Sequence, residues 1–194
     1  MKKLYKILNR IKSNVEEDLL IQKREIVDSF KEKEELWKIY DDSFLRTNKE
    51  TPCRQSLDKK HFFDVLMSSS VAKYIAIFKP SKKIIGIGMI SNDLKNSPWI
   101  SEDYFKSQFA GYFSEKLIYY FMGIAISKEY RRRGYAIGII EYIIDDIPQN
   151  AIMGFDHSQK KNPYIKYFTS MVKQSRFIKR KYLDSQRYYL VYKK

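Results

Sequence analysis

An apolar run, Tyr119-Tyr120-Phe121-Met122-Gly123-Ile124-Ala125-Ile126, leads through Ser127-Lys128-Glu129 into a basic glycine turn, Arg131-Arg132-Arg133-Gly134-Tyr135-Ala136. The run reads as a buried strand, and the turn-prone residues after it mark its end. Beyond the turn, Ile137, Ile140, Ile143, Ile144 and Ile147 recur at helical spacing until Pro148 stops them. Strand, turn and helix in this order build an anion site. The first amides of a helix lack intrahelical partners and point outward, with about half a positive charge behind them. Gly134 lets a ligand approach the backbone, Ala136 keeps the first turn uncluttered, and the arginines add charge. The spacing predicts a bound phosphate here; the plainer alternative is a basic surface turn before an ordinary helix.

The turn is not a P-loop, because no Gly-Lys-Ser/Thr follows, and it lacks the spacing of the dinucleotide fingerprint. It resembles the Arg/Gln-x-x-Gly-x-Gly/Ala signature of the GNAT superfamily, the acyl-CoA-dependent N-acyltransferases. Arg131 stands at the leading position, Gly134 at the central glycine and Ala136 at the last; Ile126 matches the apolar residue five before the arginine. Gly138 sits where that family often keeps a small residue.

The resemblance implies an α/β fold of mixed α+β type: a central, mostly antiparallel sheet flanked by helices and splayed between strands 4 and 5. It implies acetyl-CoA as co-substrate and no metal. The diphosphate would lie on the turn Arg131, Arg132, Arg133, Gly134, Tyr135 and Ala136, with Gly138 beside it. The pantetheine arm would run along the backbone of Ile124, Ala125 and Ile126, and Asn162 would touch it. Tyr167, with Tyr164 as the second choice, would protonate the leaving thiolate, although counting back from Phe177 puts Val172 at the usual tyrosine position. Some relatives carry a glutamate base eleven positions before the motif arginine; here that position is Tyr120, leaving Glu115, Asp156, His157 or a water chain.

Local patterns elsewhere agree with that element order. Leu19–Ile26 reads as a strand, residues 31–44 as a helix, and Asp58 as the cap of a second helix. Residues 71–78 and 84–91 read as a hairpin about Lys79-Pro80-Ser81, with Gly86 and Gly88 there for close packing. Residues 151–155 read as a strand, 163–173 as a helix after Asn162, and 177–183 and 187–192 as closing strands. The connection 92–116 mixes Trp99, Tyr104, Phe105, Phe109, Tyr112 and Phe113 with Glu102, Asp103 and Glu115. It either walls an acceptor pocket and draws in a cationic amine, or packs over the sheet edge.

At 194 residues the chain suits one domain, expected over 18–194 after a helical extension at 1–17. No stretch approaches the roughly 18 consecutive apolar residues of a membrane span, and the start is too charged for a signal peptide. Cys53 is alone and the chain has 2 His, so neither a disulfide nor a metal site is expected. A cytoplasmic monomer or homodimer fits. Of the net charge of +14, residues 157–194 supply most, with 11 Lys or Arg against the single acid Asp184. Such a tail meets an anionic partner or is simply solvated. Three functions follow: an N-acetyltransferase acting on a small-molecule or peptide primary amine, a basic nucleic-acid or ribosome-associated protein, or a GNAT-like domain that binds acyl-CoA without turnover.

Overall fold

Short apolar runs with alternating faces become the strands β1 (Leu19–Arg24), β2 (Val71–Phe78), β3 (Lys83–Ser91), β4 (Ile118–Ile126) and β5 (Ile152–Gly154). They form one sheet in chain order. This computed structural model describes Val15 and residues 17–50, 56–156 and 182–184, without the side chains of residues 46–48 and 50. The expected first 14 residues of the N-terminal helix, the helix at 163–173 and the strand at 187–192 lie outside the described residues, as does most of the strand at 177–183. Residues 182–184 carry no regular structure.

Strands β1 to β4 pair antiparallel, whereas β5 pairs parallel with β4. A parallel neighbour needs a crossover, and α5 (Tyr135–Asp146) supplies it. The mixed, mostly antiparallel sheet is the expected one. Helix α1 (Phe30–Glu50) runs six residues past its expected end, because the first breaker after it is Pro52. Helix α2 (Lys59–Met67) starts where expected, the Asp58 carboxylate accepting from the His61 amide. The 92–116 connection holds a 3-10 turn at Leu94–Asn96, α3 (Glu102–Gln108) and α4 (Ala110–Ser114).

Both faces of the sheet are covered. On one, Leu36, Tyr40, Phe62 and Leu66 of α1 and α2 pack against Ile75, Ile87, Met89 and Met122. On the other, Tyr135, Ile139 and Ile143 of α5 pack against Tyr74, Ile85, Ile90 and Ile126. Gly88 is small because α5 lies on it: a Cβ there would meet Ile139 Cγ2 at 2.7 Å. Among the described residues no helix is long and apolar enough to cross a membrane.

Lys73 lies fully buried in β2, between β1 and β3. Its ammonium donates to the carbonyls of Glu25 and Ser68, tying the end of β1 to the end of α2. Burial lowers its pKa from 10.5 to about 8, against the opposing pull of Glu25. Between those values the unfolded chain keeps a proton that the folded chain has shed. Stability is therefore expected to rise from pH 8 towards 10 and to fall as pH drops back through 8, by on the order of 2 kcal/mol. Above pH 10 the tyrosines act the other way, since burial pushes the Tyr74 hydroxyl up. Urea unfolding across pH 8 to 10 reads the slope, which Lys73→Met should flatten.

Candidate functional site

The turn predicted from sequence is present and its amides face outward. After β4 the chain makes a 3-10 turn at Lys128–Tyr130, then Arg132 takes φ 65° and Gly134 takes φ 93° with ψ −10°. Gly134 caps α5 in the left-handed region, which costs glycine nothing and other residues about 1–2 kcal/mol. Its carbonyl accepts from the Ile137 and Gly138 amides at 2.9 and 3.2 Å. Among the described residues no side chain caps this helix, so the Tyr135 and Ala136 amides point out of its first turn. Arg132 and Arg133 are exposed beside them, and the Arg133 guanidinium rests 5.6 Å from the Tyr130 ring centre.

Three residues grouped with that turn also serve the fold. Arg131 donates through Nε to the Ile126 carbonyl (2.8 Å) and through a terminal nitrogen to Asp42 (2.5 Å) and Ser43 (3.1 Å). The guanidinium thus latches the end of β4 to α1 through Nε and one of its two terminal nitrogens. Tyr135 is 4 % exposed and packs on Phe78 and Tyr130. Its hydroxyl reaches Asp18, and burial pushes its pKa up. Gly138 opens towards β1: a Cβ would meet Val15 Cγ1 at 2.8 Å and Leu19 Cδ2 at 2.9 Å. Its smallness seats α5 on the sheet.

Beside the turn, β4 offers an open edge. Among the described residues β5 pairs with Ile118, Tyr119 and Tyr120 alone, and the two strands part beyond that point. Ser127 N donates to Ile85 O across the β3 side. By the alternation of an antiparallel ladder, Ala125 and Gly123 also bond towards β3, while Ile124 and Ile126 face the open side. The Ala125 backbone groups are therefore turned towards β3. The Ile126 carbonyl already accepts from Arg131, leaving the Ile124 amide and carbonyl and the Ile126 amide. A bulge interrupts this edge: Met89 pairs with Gly123 but Ile90 with Phe121, and Gly123 takes φ 151°. Phe44 of α1 lies against it, 3.3 Å from where a Gly123 Cβ would stand.

At the other end of that edge stands Tyr120, 3 % exposed. Its hydroxyl donates to Asp156, just past β5, and accepts from Trp99 Nε1 at 3.2 Å. Sequence reasoning saw Tyr120 only as a missing glutamate; the signal for its partner is the β4–β5 register, which no local pattern carries. Four of the six 92–116 aromatics turn inward: Phe105 is buried and Trp99, Phe109 and Phe113 pack on the same core, while Tyr104 and Tyr112 are exposed. Glu102 pairs with Lys106 at 2.8 Å, and that bond draws its carboxyl below the usual range. The segment thus packs over the core through its buried aromatics. His157, Asn162, Tyr164 and Tyr167 lie outside the described residues.

No family model matches the sequence, and no curated protein does. Solved structures do match. An aminoglycoside acetyltransferase from an uncultured soil metagenomic sample, in complex with sisomicin, superposes with a TM-score of 0.54 at 11% identity, covering 91% of this chain and 99% of that one. The ribosomal-protein-S18-alanine N-acetyltransferase of Escherichia coli gives a TM-score of 0.50 at 10% identity, covering 79% of this chain and 76% of its own. With the sheet order, the parallel fifth strand and the splay beyond Tyr120, these likenesses identify the fold of this chain as that of the GNAT superfamily.

Proposed function

We propose that this chain is an N-acyltransferase that takes acetyl-CoA as co-substrate and acylates a primary amine, working as a cytoplasmic monomer or homodimer. The observation that carries the reading is the left-handed Gly134 turn opening a 12-residue helix directly beside an edge of β4, the turn without a side-chain cap and the edge without a strand partner among the described residues. A diphosphate fits the first feature, because outward amides and the helix dipole favour an anion. An arm containing amide groups fits the second, because it can pair with the edge as another strand would.

The turn amides with Arg132 and Arg133 would hold the diphosphate. The Ile124 amide and carbonyl and the Ile126 amide would hold the arm, helped by Asn162. Acetyl-CoA supplies a thioester whose acyl carbon accepts an amine as the thiolate leaves. The chain's part is positioning, which removes most of the entropic barrier, and proton traffic. Tyr167 is the proposed donor to the thiolate, with Tyr164 second. The sisomicin complex and the ribosomal-protein alanine of the structural neighbours share only an amine, so the acceptor is proposed at that level.

Calorimetry with acetyl-CoA should show saturable one-to-one binding. Thiol release in the presence of sisomicin, spermidine or a peptide beginning with alanine should depend on the amine. Absence of acetyl-CoA binding would overturn the reading; salt-sensitive RNA binding in its place would turn attention to the basic 157–194 segment.

A further inference from the structure

Resting on the acyltransferase reading, we infer that Phe44 sets the length of the acyl chain: its ring closes a notch at the Gly123 bulge that takes the methyl group of an acetyl thioester and turns longer chains away. Three observations carry this role.

The first is where a thioester would stop. The pantetheine arm holds two amide groups, then a short ethylene link, then the sulfur. Beyond Tyr120 the open side of β4 has no strand partner among the described residues, and its free rungs are at Ile126 and Ile124. An arm anchored at the Gly134 turn meets Ile126 first. With one amide at each rung, the ethylene link carries the sulfur past Ile124, and the acyl group comes to the bulge at Gly123.

The second is the depth of the notch. Gly123 takes φ 151° and has no side chain, so β4 leaves a gap on the face that α1 covers. A carbon at the Gly123 Cβ position would lie 3.3 Å from Phe44 Cζ and 4.0 Å from Phe44 Cε2. Carbon atoms in contact prefer about 3.5–4.0 Å. One methyl group therefore fills the gap after a slight adjustment. A second carbon on the same line would enter the ring.

The third is that the ring cannot step aside. Its centre lies 4.6 Å from that of Tyr40, which is 1 % exposed and in turn lies 4.5 Å from Phe62. The two residues before Phe44 pin α1 to the strand. Ser43 Oγ lies 3.2 Å from the Ile126 carbonyl oxygen, and Asp42 and Ser43 both accept from Arg131. A methylene forced against such a wall pushes side chains out of their rotamers, which is the cost of overpacking.

The co-substrate class is thus a short acyl-CoA, with acetyl as the best fit. In a hydrophobic pocket a single methylene changes discrimination by about 10–200-fold. A butanoyl chain exceeds the notch by more than that.

The test uses the full chain, Phe44→Ala, and Phe44→Leu as the milder change if the alanine variant does not fold. Calorimetry measures the affinity of each for coenzyme A, acetyl-CoA, butanoyl-CoA and hexanoyl-CoA, well below the unfolding midpoint. Wild type should bind acetyl-CoA at least about tenfold more tightly than butanoyl-CoA. Phe44→Ala should bring the two within about twofold, even as its affinity for acetyl-CoA falls, and Phe44→Leu should lie between. A merely structural loss would weaken coenzyme A and every acyl-CoA by one factor and leave the ratio unchanged. Equal wild-type affinity for acetyl-CoA and hexanoyl-CoA, or the wild-type ratio kept in the folded variants, would overturn the assignment while the acyltransferase reading stands. Failure of the wild-type chain to bind acetyl-CoA would bring down both.

Discussion

Gly134→Glu is expected to weaken acetyl-CoA binding by about a hundredfold or more, equivalent to about 2.7 kcal/mol, in a chain that still folds. Two effects combine. Gly134 sits at φ 93°, so any L side chain there carries strain of about 1–2 kcal/mol. That alone leaves most of a typical domain's stability intact. The larger effect is electrostatic. A carboxylate on the residue before α5 lies among the outward amides, occupying them as a cap would and repelling the phosphates. Gly134→Ala separates the two contributions: it brings the strain and a small side chain without the charge. Urea unfolding should show similar losses for both variants, while calorimetry should show a far greater loss of binding for the glutamate. Equal binding by wild type and Gly134→Glu would mean that the turn is not the anion site.

The turn was readable from sequence because everything that makes it is local. A strand of period two, a glycine and a helix of period 3.6 lie within thirty residues, and no distant contact decides their order. The Asp58 cap and the packing glycine Gly88 were legible for the same reason. Arg131 was not. Whether its guanidinium faces the turn or folds back depends on Asp42 and Ser43, which α1 brings from 89 and 88 residues away. Tyr120 shows the same limit more sharply. Against a family pattern it is a lost carboxylate; in the fold it meets one, because the β4–β5 register carries Asp156 to its hydroxyl. The aromatic connection at 92–116 was ambiguous in sequence because an apolar pocket wall and an apolar cover have one composition. The fold buries Phe105 and leaves Tyr104 and Tyr112 exposed, a division that composition does not carry.

Tyr40→Ala is expected to cost about 3–5 kcal/mol of stability, the range for removing a large buried ring. Tyr40 is 1 % exposed, and its ring centre lies 4.5 Å from Phe62 and 4.6 Å from Phe44. It also accepts a 3.0 Å hydrogen bond from the Leu57 amide. Burial pushes its hydroxyl up to about 12, so the group is neutral over the working range. Tyr40→Phe keeps the ring and removes only the acceptor, at about 1–2 kcal/mol. Urea midpoints of the two variants therefore divide packing from hydrogen bonding. The consequence reaches the site through Phe44, which stacks on Tyr40 and covers the Gly123 bulge in the open edge of β4. With Tyr40 truncated, Phe44 loses its backing and the bulge its cover. Acetyl-CoA affinity, measured well below the unfolding midpoint, should fall in Tyr40→Ala and hold in Tyr40→Phe. Equal affinity in both would mean that the strand edge keeps its shape without α1, and that the helix matters to the fold alone.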